Sequence, residues 1–393
     1  MSNTKSARRF ATLAVAGLVA ALLPAIGAAT PASAAGTCES EKQTGSVLGA
    51  TVCDDTSQPS TTLAGASPTP NGAGYINVDH VTFTFGGAAS PGDSDPIAYQ
   101  CQFFNSATTP STWQACTSPA TYDHLADAGP DNPTPYTFRV RAVDTADNGL
   151  DATTCTGLFC THADTDVADL DETPATTTVR VDTTRPDTYI LDAPTDDQGS
   201  DYPMSTSRTV RLRLDATEGT DANPLDYTCK LDGAKVGCNQ GITTLTGLGG
   251  GDHTFTAAAT DLAGNTDQSP AVAKFSVPKN LVKADGWVTR REGGYFAGDY
   301  LESRRVGAQV SLPGKNVREL LLIAPAGPGL GVVEVKIGQS IWRPVNLNAP
   351  SYTRFKIYKV RDRYDPLVSG KILVRVKKLD KNQVVRVDAV LAH

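Results

Sequence analysis

Histidine is scarce, with 5 in 393 residues, and none falls in a His-Glu-x-x-His pattern. Gly-x-Ser-x-Gly and Walker sequences are missing too, so the zinc-hydrolase, serine-hydrolase and P-loop classes have no sequence support. No Cys-x2-Cys with partnering histidines occurs, which removes the common structural zinc sites. After the N-terminal segment no apolar run reaches the ~18 residues a membrane-spanning helix needs. A hydrophobic tail, a sortase-type Leu-Pro-x-Thr-Gly motif and a lipobox cysteine are also absent. Aromatic residues make up only 7%, while Gly 35 and Pro 25 supply many turns. Modest cores and short strands follow from that balance.

The N-terminus reads as a targeting segment. Lys5, Arg8 and Arg9 precede an apolar stretch from Phe10 to Ala29, and Ala32-Ser33-Ala34 offers small residues for cleavage. Residues 1–34 are therefore expected to be a secretory signal peptide, and the product to be secreted, released or held at the wall non-covalently. All eight cysteines lie beyond it and fall into near neighbours: Cys38 and Cys53, Cys101 and Cys116, Cys155 and Cys160, Cys229 and Cys238. Nearest-neighbour disulfides are expected, one choice among 105 connectivities, because an exported chain meets an oxidising compartment. For Cys229 and Cys238, an Asp232-Gly233 turn would place the two sulfurs across a hairpin.

A stretch near the middle of the chain occurs twice. Tyr136-Thr137-Phe138 leads to Asp144-Thr145-Ala146-Asp147-Asn148, and His253-Thr254-Phe255 leads to Asp261-Leu262-Ala263-Gly264-Asn265. Upstream of each lies a cysteine pair, and upstream of that an alternating run, Val81-Thr82-Phe83-Thr84-Phe85 or Val210-Arg211-Leu212-Arg213-Leu214. Alternation of period two bounded by turn residues marks half-buried strands, so each copy reads as a β-sandwich of roughly seven strands. The pattern resembles the bacterial Ig-like repeats of secreted actinobacterial proteins, which run Cys-x-Leu-Asp-Gly, then Gly-x-His-Thr-Phe, then Asp-x-Ala-Gly-Asn. The second copy follows that outline closely. The first lacks Asp-Gly between its cysteines and has Tyr136 for His, Asp147 for Gly and inserts at 129–135 and 149–173.

These markers divide the chain into a Gly/Pro/Thr-rich leader at 35–74, Ig-like modules at 75–184 and 185–278, and a C-terminal β-domain at 279–393. Charge divides at the same place. Residues 36–278 hold 11 Lys/Arg and 32 Asp/Glu, whereas residues 279–393 hold 21 and 10. The acidic part raises a calcium reading for Asp144, Asp147 and Asp261, since clustered carboxylates suit a hard cation. No Asp-x-Asp-x-Asp-Gly loop accompanies them, and Asp and Asn commonly cap turns.

The C-terminal segment shows strand-like runs at Val306–Leu312, Val317–Ala324, Val332–Ile337, Val345–Leu347, Arg354–Val360, Lys371–Val376 and Val384–Leu391. A jelly-roll-like sandwich is expected, and the whole fold is expected to be all-β. Gly327-Pro328-Gly329-Leu330-Gly331 sits between two of the runs and reads as a hairpin turn, not a phosphate loop. The segment is similar to galactose-binding-like carbohydrate modules, through Trp287 with Gly307-Ala308, Leu322 to Gly329, and Arg386-Val387-Asp388-Ala389-Val390. That resemblance implies sugar binding. Trp287, Trp342, Tyr295, Tyr300 and Tyr352 have the flat faces and polar edges that stack on sugar rings. Arg290, Arg291, Arg304 and Arg305 could hold an anionic wall polymer. The competing structural readings are core packing for the tryptophans and a solvated rim for the arginines.

The resulting expectation is a non-enzymatic binding or adhesion protein of the cell envelope, without cofactor or nucleic-acid partner. Its expected partner is cell-wall glycan or anionic polymer, or another surface protein. A purely structural spacer is the alternative. A glycoside-cleaving carboxylate pair is the remote one, because such a pair is defined by distance in space.

Overall fold

The computed structural model describes residues 42–47, 50–54, 58–89, 97–127, 134–144, 170–195, 202–217 and 225–393. The signal segment, Cys38, Cys155, Cys160, Asp147 and most of the two inserts lie outside the described residues. So do the side chains of Cys53 and Asp144. Of the four expected disulfides, the bond of Cys38 to Cys53 and the bond of Cys155 to Cys160 thus fall outside what is described. The other two are formed, Cys101 with Cys116 and Cys229 with Cys238. Two short strands, β1 (Lys42–Val47) and β2 (Ala50–Asp54), form an antiparallel hairpin of their own.

The first sandwich comprises β3 (Ser60–Ser67), β4 (Tyr75–Ile76), β5 (Val81–Ala88), β6 (Ile97–Asn105), β7 (Gln114–Cys116), β8 (Ala120–Tyr122), β9 (Tyr136–Asp144) and β10 (Ala175–Val181). Its two sheets run β3-β5-β8 and β4-β10-β9-β6-β7. The expected leader of 35–74 is too long, because β3 already pairs along β5 from Ser60↔Ala88 to Ser67↔Thr82. The run Ser60-Thr61-Thr62-Leu63-Ala64-Gly65 is poor in large apolar residues and so looks like linker. Only Leu63 and Ala66 pack against the core, and Thr61 Oγ1 accepts the Ala142 N–H at 2.7 Å. Phe83 and Phe138 stack at 4.2 Å in the centre, beside the buried Cys101.

The second sandwich holds β11 (Asp187–Leu191), β12 (Val210–Thr217), β13 (Asp226–Leu231), β14 (Ala234–Val236), β15 (Gly241–Leu245), β16 (Gly251–Thr260) and β17 (Ala271–Val277). Its sheets run β11-β12-β15 and β14-β13-β16-β17. Asp232 and Gly233 both have positive φ, 52° and 84°, the geometry of a tight hairpin turn that glycine tolerates best. That turn brings Cys229 and Cys238 within disulfide reach, Cα to Cα 6.1 Å, as the sequence implied.

The C-terminal domain has β18 (Lys279–Asn280), β19 (Val288–Arg291), β20 (Asp299–Ser303), β21 (Gln309–Val317), β22 (Leu320–Ala326), β23 (Val332–Ile337), β24 (Arg343–Asn346), β25 (Thr353–Arg361), β26 (Val368–Lys378), β27 (Val385–Val387) and β28 (Ala389–Ala392). Three sheets result, β18-β28-β22-β25, β19-β20-β27 and β21-β26-β23-β24. The expected last strand, Val384–Leu391, breaks at Asp388 into two that join different sheets.

All seven residues of β22 are buried. Leu320, Leu322 and Ala324 enter the domain's own core, while Leu321 and Ile323 pack with Ala389, Leu391, Phe355 and Ile357 against Met204, Phe255 and Phe275 of the second sandwich. A strand covered on both faces reads as a continuous apolar run. The second sandwich and the C-terminal domain therefore share a hydrophobic core.

Candidate ligand-binding face

The sheet β19-β20-β27 places side chains by strand register. Arg290 pairs with Tyr300, and Glu302 pairs with both Val288 and Arg386, while Leu301 pairs with Val387. Alternation turns Leu301 and Val387 into the core and leaves Tyr300, Glu302, Arg290 and Arg386 on the outer face. Two further tyrosines join them. Tyr295 lies 4.4 Å from Tyr300, ring centre to ring centre, and its hydroxyl hydrogen-bonds to that of Tyr352.

Arg386 ties the cluster together. Its Nη1 donates to the Tyr352 hydroxyl at 3.3 Å and its Nε to Glu302 Oε2 at 3.1 Å, with the guanidinium 5.2 Å over the Tyr300 ring. Burial works against its charge, but the hydrogen bond to Tyr352 and the partners Tyr300 and Glu302 outweigh that and hold its pKa above the usual value. Burial, then the bond to Tyr352, raises the Tyr295 hydroxyl in turn. Arg290 approaches Glu302 Oε1 at 3.7 Å, and Arg354 pairs with Glu292 at 3.0 Å beside Gly294, where an added Cβ would lie 3.2 Å from the Arg354 stem.

Tyr295 and Tyr300 are each only 6% exposed, so they form the bed of the site. Tyr352, at 46%, presents its ring to solvent. A flat aromatic surface fixed at its hydroxyl and flanked by guanidinium donors and a carboxylate acceptor suits a polyhydroxylated ring.

The remaining nominated residues are elsewhere. Trp287 is 2% exposed in the domain core, which removes it as a ligand contact: its large apolar area is worth more buried than displayed. Trp342 is half-buried beside β24, in the other sheet, its ring 4.1 Å from Arg375 and 5.0 Å from Lys336. Arg291 is exposed next to Arg290, and Arg304 and Arg305 occupy the turn after β20, where Arg305 pairs with Asp285 at 3.0 Å. Sequence reasoning did not nominate Glu302, and it used Arg386 only as part of the Arg386-Val387-Asp388-Ala389-Val390 resemblance, not as a site residue. Their signal is a polar residue between two valines in Val385-Arg386-Val387, and the spacing of Tyr300 and Glu302.

Of the three calcium candidates, Asp261 is the one whose side chain is described, and it is engaged within its own turn. Its Oδ1 accepts the Asn265 N–H and its Oδ2 the Asn265 Nδ2, both at 2.8 Å, so the carboxylate caps its own turn. Among the described residues no group of three or more His, Cys, Asp or Glu is placed to hold a metal ion. Asn265 Nδ2 also donates to the Asp182 carbonyl, so this turn grips the linker from the first sandwich. A pocket of about 230 Å³ opens beside β16 and β17, lined in part by His253, Asp252 and His393. Those three groups are engaged there, His253 with Asp232 and Gly249, and Asp252 with Ser276 and His393.

No protein-family model and no curated protein matches the sequence. Among solved structures the chain is similar to the fibronectin(III)-like modules of Clostridium thermocellum CbhA, at 13% identity over 56% of this chain and 94% of that one, with a TM-score of 0.29. It is similar to carbohydrate-binding modules from the beta-sandwich super family, at 13% over 54% and 99%, TM-score 0.28. A 1.5-MDa bacterial ice-binding adhesin matches at 11% over 86% and 98%, TM-score 0.25. The all-β class rests on the sheets themselves. No helix among the described residues is long and apolar enough to cross a membrane.

Proposed function

We propose that the protein is a non-enzymatic binding or adhesion protein of the cell exterior that holds a glycan of the cell envelope on the Tyr352 face. The observation that carries this reading is a solvent-facing tyrosine fixed at its hydroxyl by Arg386 and Tyr295, over a sheet whose outer residues are tyrosine, arginine and glutamate. The disulfides Cys101–Cys116 and Cys229–Cys238 support an extracellular setting, as does the signal-like N-terminus. The Ig-like modules then set this face at a distance from whatever holds the N-terminal part.

The test is co-sedimentation of the whole mature chain with purified cell-wall material, at low and high salt. The expected result is binding that survives high salt and weakens about tenfold in Tyr352→Ala, a change of ~1.4 kcal/mol. Binding abolished by salt but indifferent to Tyr352→Ala points to an anionic polymer held by the arginine and lysine clusters. No binding in either condition favours the spacer.

A further inference from the structure

The end of the C-terminal domain away from Tyr352 carries a second surface. Strand β25 runs from Thr353 beside Tyr352 to Arg361, so its nine residues separate the two ends by ~30 Å. A bulge and two turns meet at the Arg361 end: the bulge at 314–316 in β21, the turn 338–342 between β23 and β24, and the turn 362–367 between β25 and β26. They are tied to one another. The Asn316 N–H donates to Ser369 Oγ at 2.8 Å, and the Gly338 N–H to the Lys371 carbonyl at 3.0 Å. Arg343 reaches from the 338–342 turn to the 362–367 turn, donating to the Val360 carbonyl at 2.8 Å and pairing with Asp365 at 3.0 Å. Arg361, itself buried, donates to the Pro366 carbonyl at 2.6 Å and the Arg318 carbonyl at 3.3 Å.

On this stiff platform three large apolar side chains point outward. Ile341 is 76% exposed, Tyr364 81% and Leu367 53%. Single exposed hydrophobics are ordinary on a protein surface, but three on two tethered turns are not. Around them, residues 314–319, 336–343 and 361–371 hold seven Lys/Arg and three Asp/Glu. The acids are spent internally: Glu319 is fully buried, Asp365 meets Arg343 and Arg361, and Asp362 Oδ1 accepts the Tyr364 N–H. Lys315, Arg318, Arg363 and Lys371 are exposed around the tips. The Arg363 Nη2 donates to the Tyr364 hydroxyl at 2.9 Å, pairing a cation with an aromatic at the outermost point.

We propose that this end docks on a lipid surface bearing anionic headgroups. Ile341, Tyr364 and Leu367 enter the boundary between headgroups and acyl chains, and Lys315, Arg318, Arg363 and Lys371 meet the headgroup charge. The chemistry selects lipid. An anionic glycan would satisfy the cations and leave Ile341 and Leu367 in water. Protruding apolar tips ringed by cations match a fluid apolar phase lying just beneath an anionic layer. Tyrosine, with an apolar ring and a polar tip, belongs at that depth.

The test is flotation of the whole mature chain with vesicles of phosphatidylglycerol and phosphatidylcholine in about equal parts, against vesicles of phosphatidylcholine alone. Expected are binding to the anionic vesicles, at least about tenfold weaker binding in the triple variant Ile341→Ser, Tyr364→Ser, Leu367→Ser, and loss in Lys315→Glu, Arg363→Glu. All of these positions are exposed, and circular dichroism matching the parent chain checks that the variants fold. Tyr352→Ala is expected to leave vesicle binding unchanged, which separates this surface from the glycan face. Failure to float with either vesicle overturns the proposal, and so does anionic-vesicle binding that the triple variant leaves intact.

Discussion

His253 has an acceptor at each ring nitrogen, the Asp232 carboxylate at 2.7 Å and the Gly249 carbonyl at 3.0 Å. An imidazole donates from both nitrogens only as the imidazolium. Burial lowers its pKa, but the bonds to Gly249 and Asp232 outweigh burial, and the net shift is upward. For Asp232 burial raises the pKa, and the Thr254 N–H and His253 overcome it, so the net shift is downward. The signs follow: the His253 contribution is complete below its unfolded value of ~6.5 and is lost as pH rises through the higher folded value. The Asp232 contribution is complete above its unfolded value and is lost as pH falls through the lower folded one. Thermal unfolding of His253→Gln should show a loss of ~1 kcal/mol at mildly acidic pH, reduced from the buried figure because Asp232 is half exposed, and little loss at alkaline pH. An equal loss at both would sink the imidazolium. The repeated motif was legible as letters; its meaning was not. His253 in one copy clamps an Asp-Gly turn, and the first copy, lacking that turn, uses Tyr136 Oη to bond the Ala126 backbone at 3.1 and 3.2 Å.

At the scale of the strand, Asp388 marks where β27 ends and β28 begins. It is fully buried; Oδ2 accepts the Phe296 N–H at 2.8 Å and Oδ1 has no hydrogen-bond partner. Burial lifts its pKa, the Phe296 N–H partly offsets this and Asp299 adds to it, to about 7. A folded value above the unfolded one means stability that is full below ~3.8 and drains as pH rises through about 7. Asp388→Asn should therefore melt higher than the parent at pH ~8 and about equally at pH ~4. A variant that melts lower than the parent at pH ~8 would overturn the neutral carboxyl. The strands of the C-terminal domain were largely visible in period-two alternation, but β20 was not. Asp299-Tyr300-Leu301-Glu302-Ser303 has one aliphatic residue, and its outward Tyr300 and Glu302 find their companions only through register with β19 and β27. That is why the candidate face was half legible: the tyrosines were nominated as ligand contacts, and Arg386 and Glu302 were not.

For the molecule, the fold class was open to reading, because alternation and turn residues need no tertiary information. The sharing of a core was not. Leu320–Ala326 announces a strand buried on both faces, yet nothing in its letters says that the second cover comes from residues 204–277. Replacing Leu321 by Ser should cost ~3 kcal/mol and lower the unfolding midpoint of both parts together. In a Trp113→Phe background the remaining tryptophans, Trp287 and Trp342, report on the C-terminal domain. Reducing Cys229–Cys238 in the second sandwich should then shift that fluorescence midpoint in urea; an unmoved midpoint would show that the two parts melt independently. The same shared core has a bearing on how this gene can be cut and rejoined. Separated at residue 279, the C-terminal domain would bare Leu321, Ile323, Phe355, Ile357, Ala389 and Leu391 to water. The portable cassette is 185–393, and a fusion partner that takes only the last third inherits a sticky sheet along with the Tyr352 face.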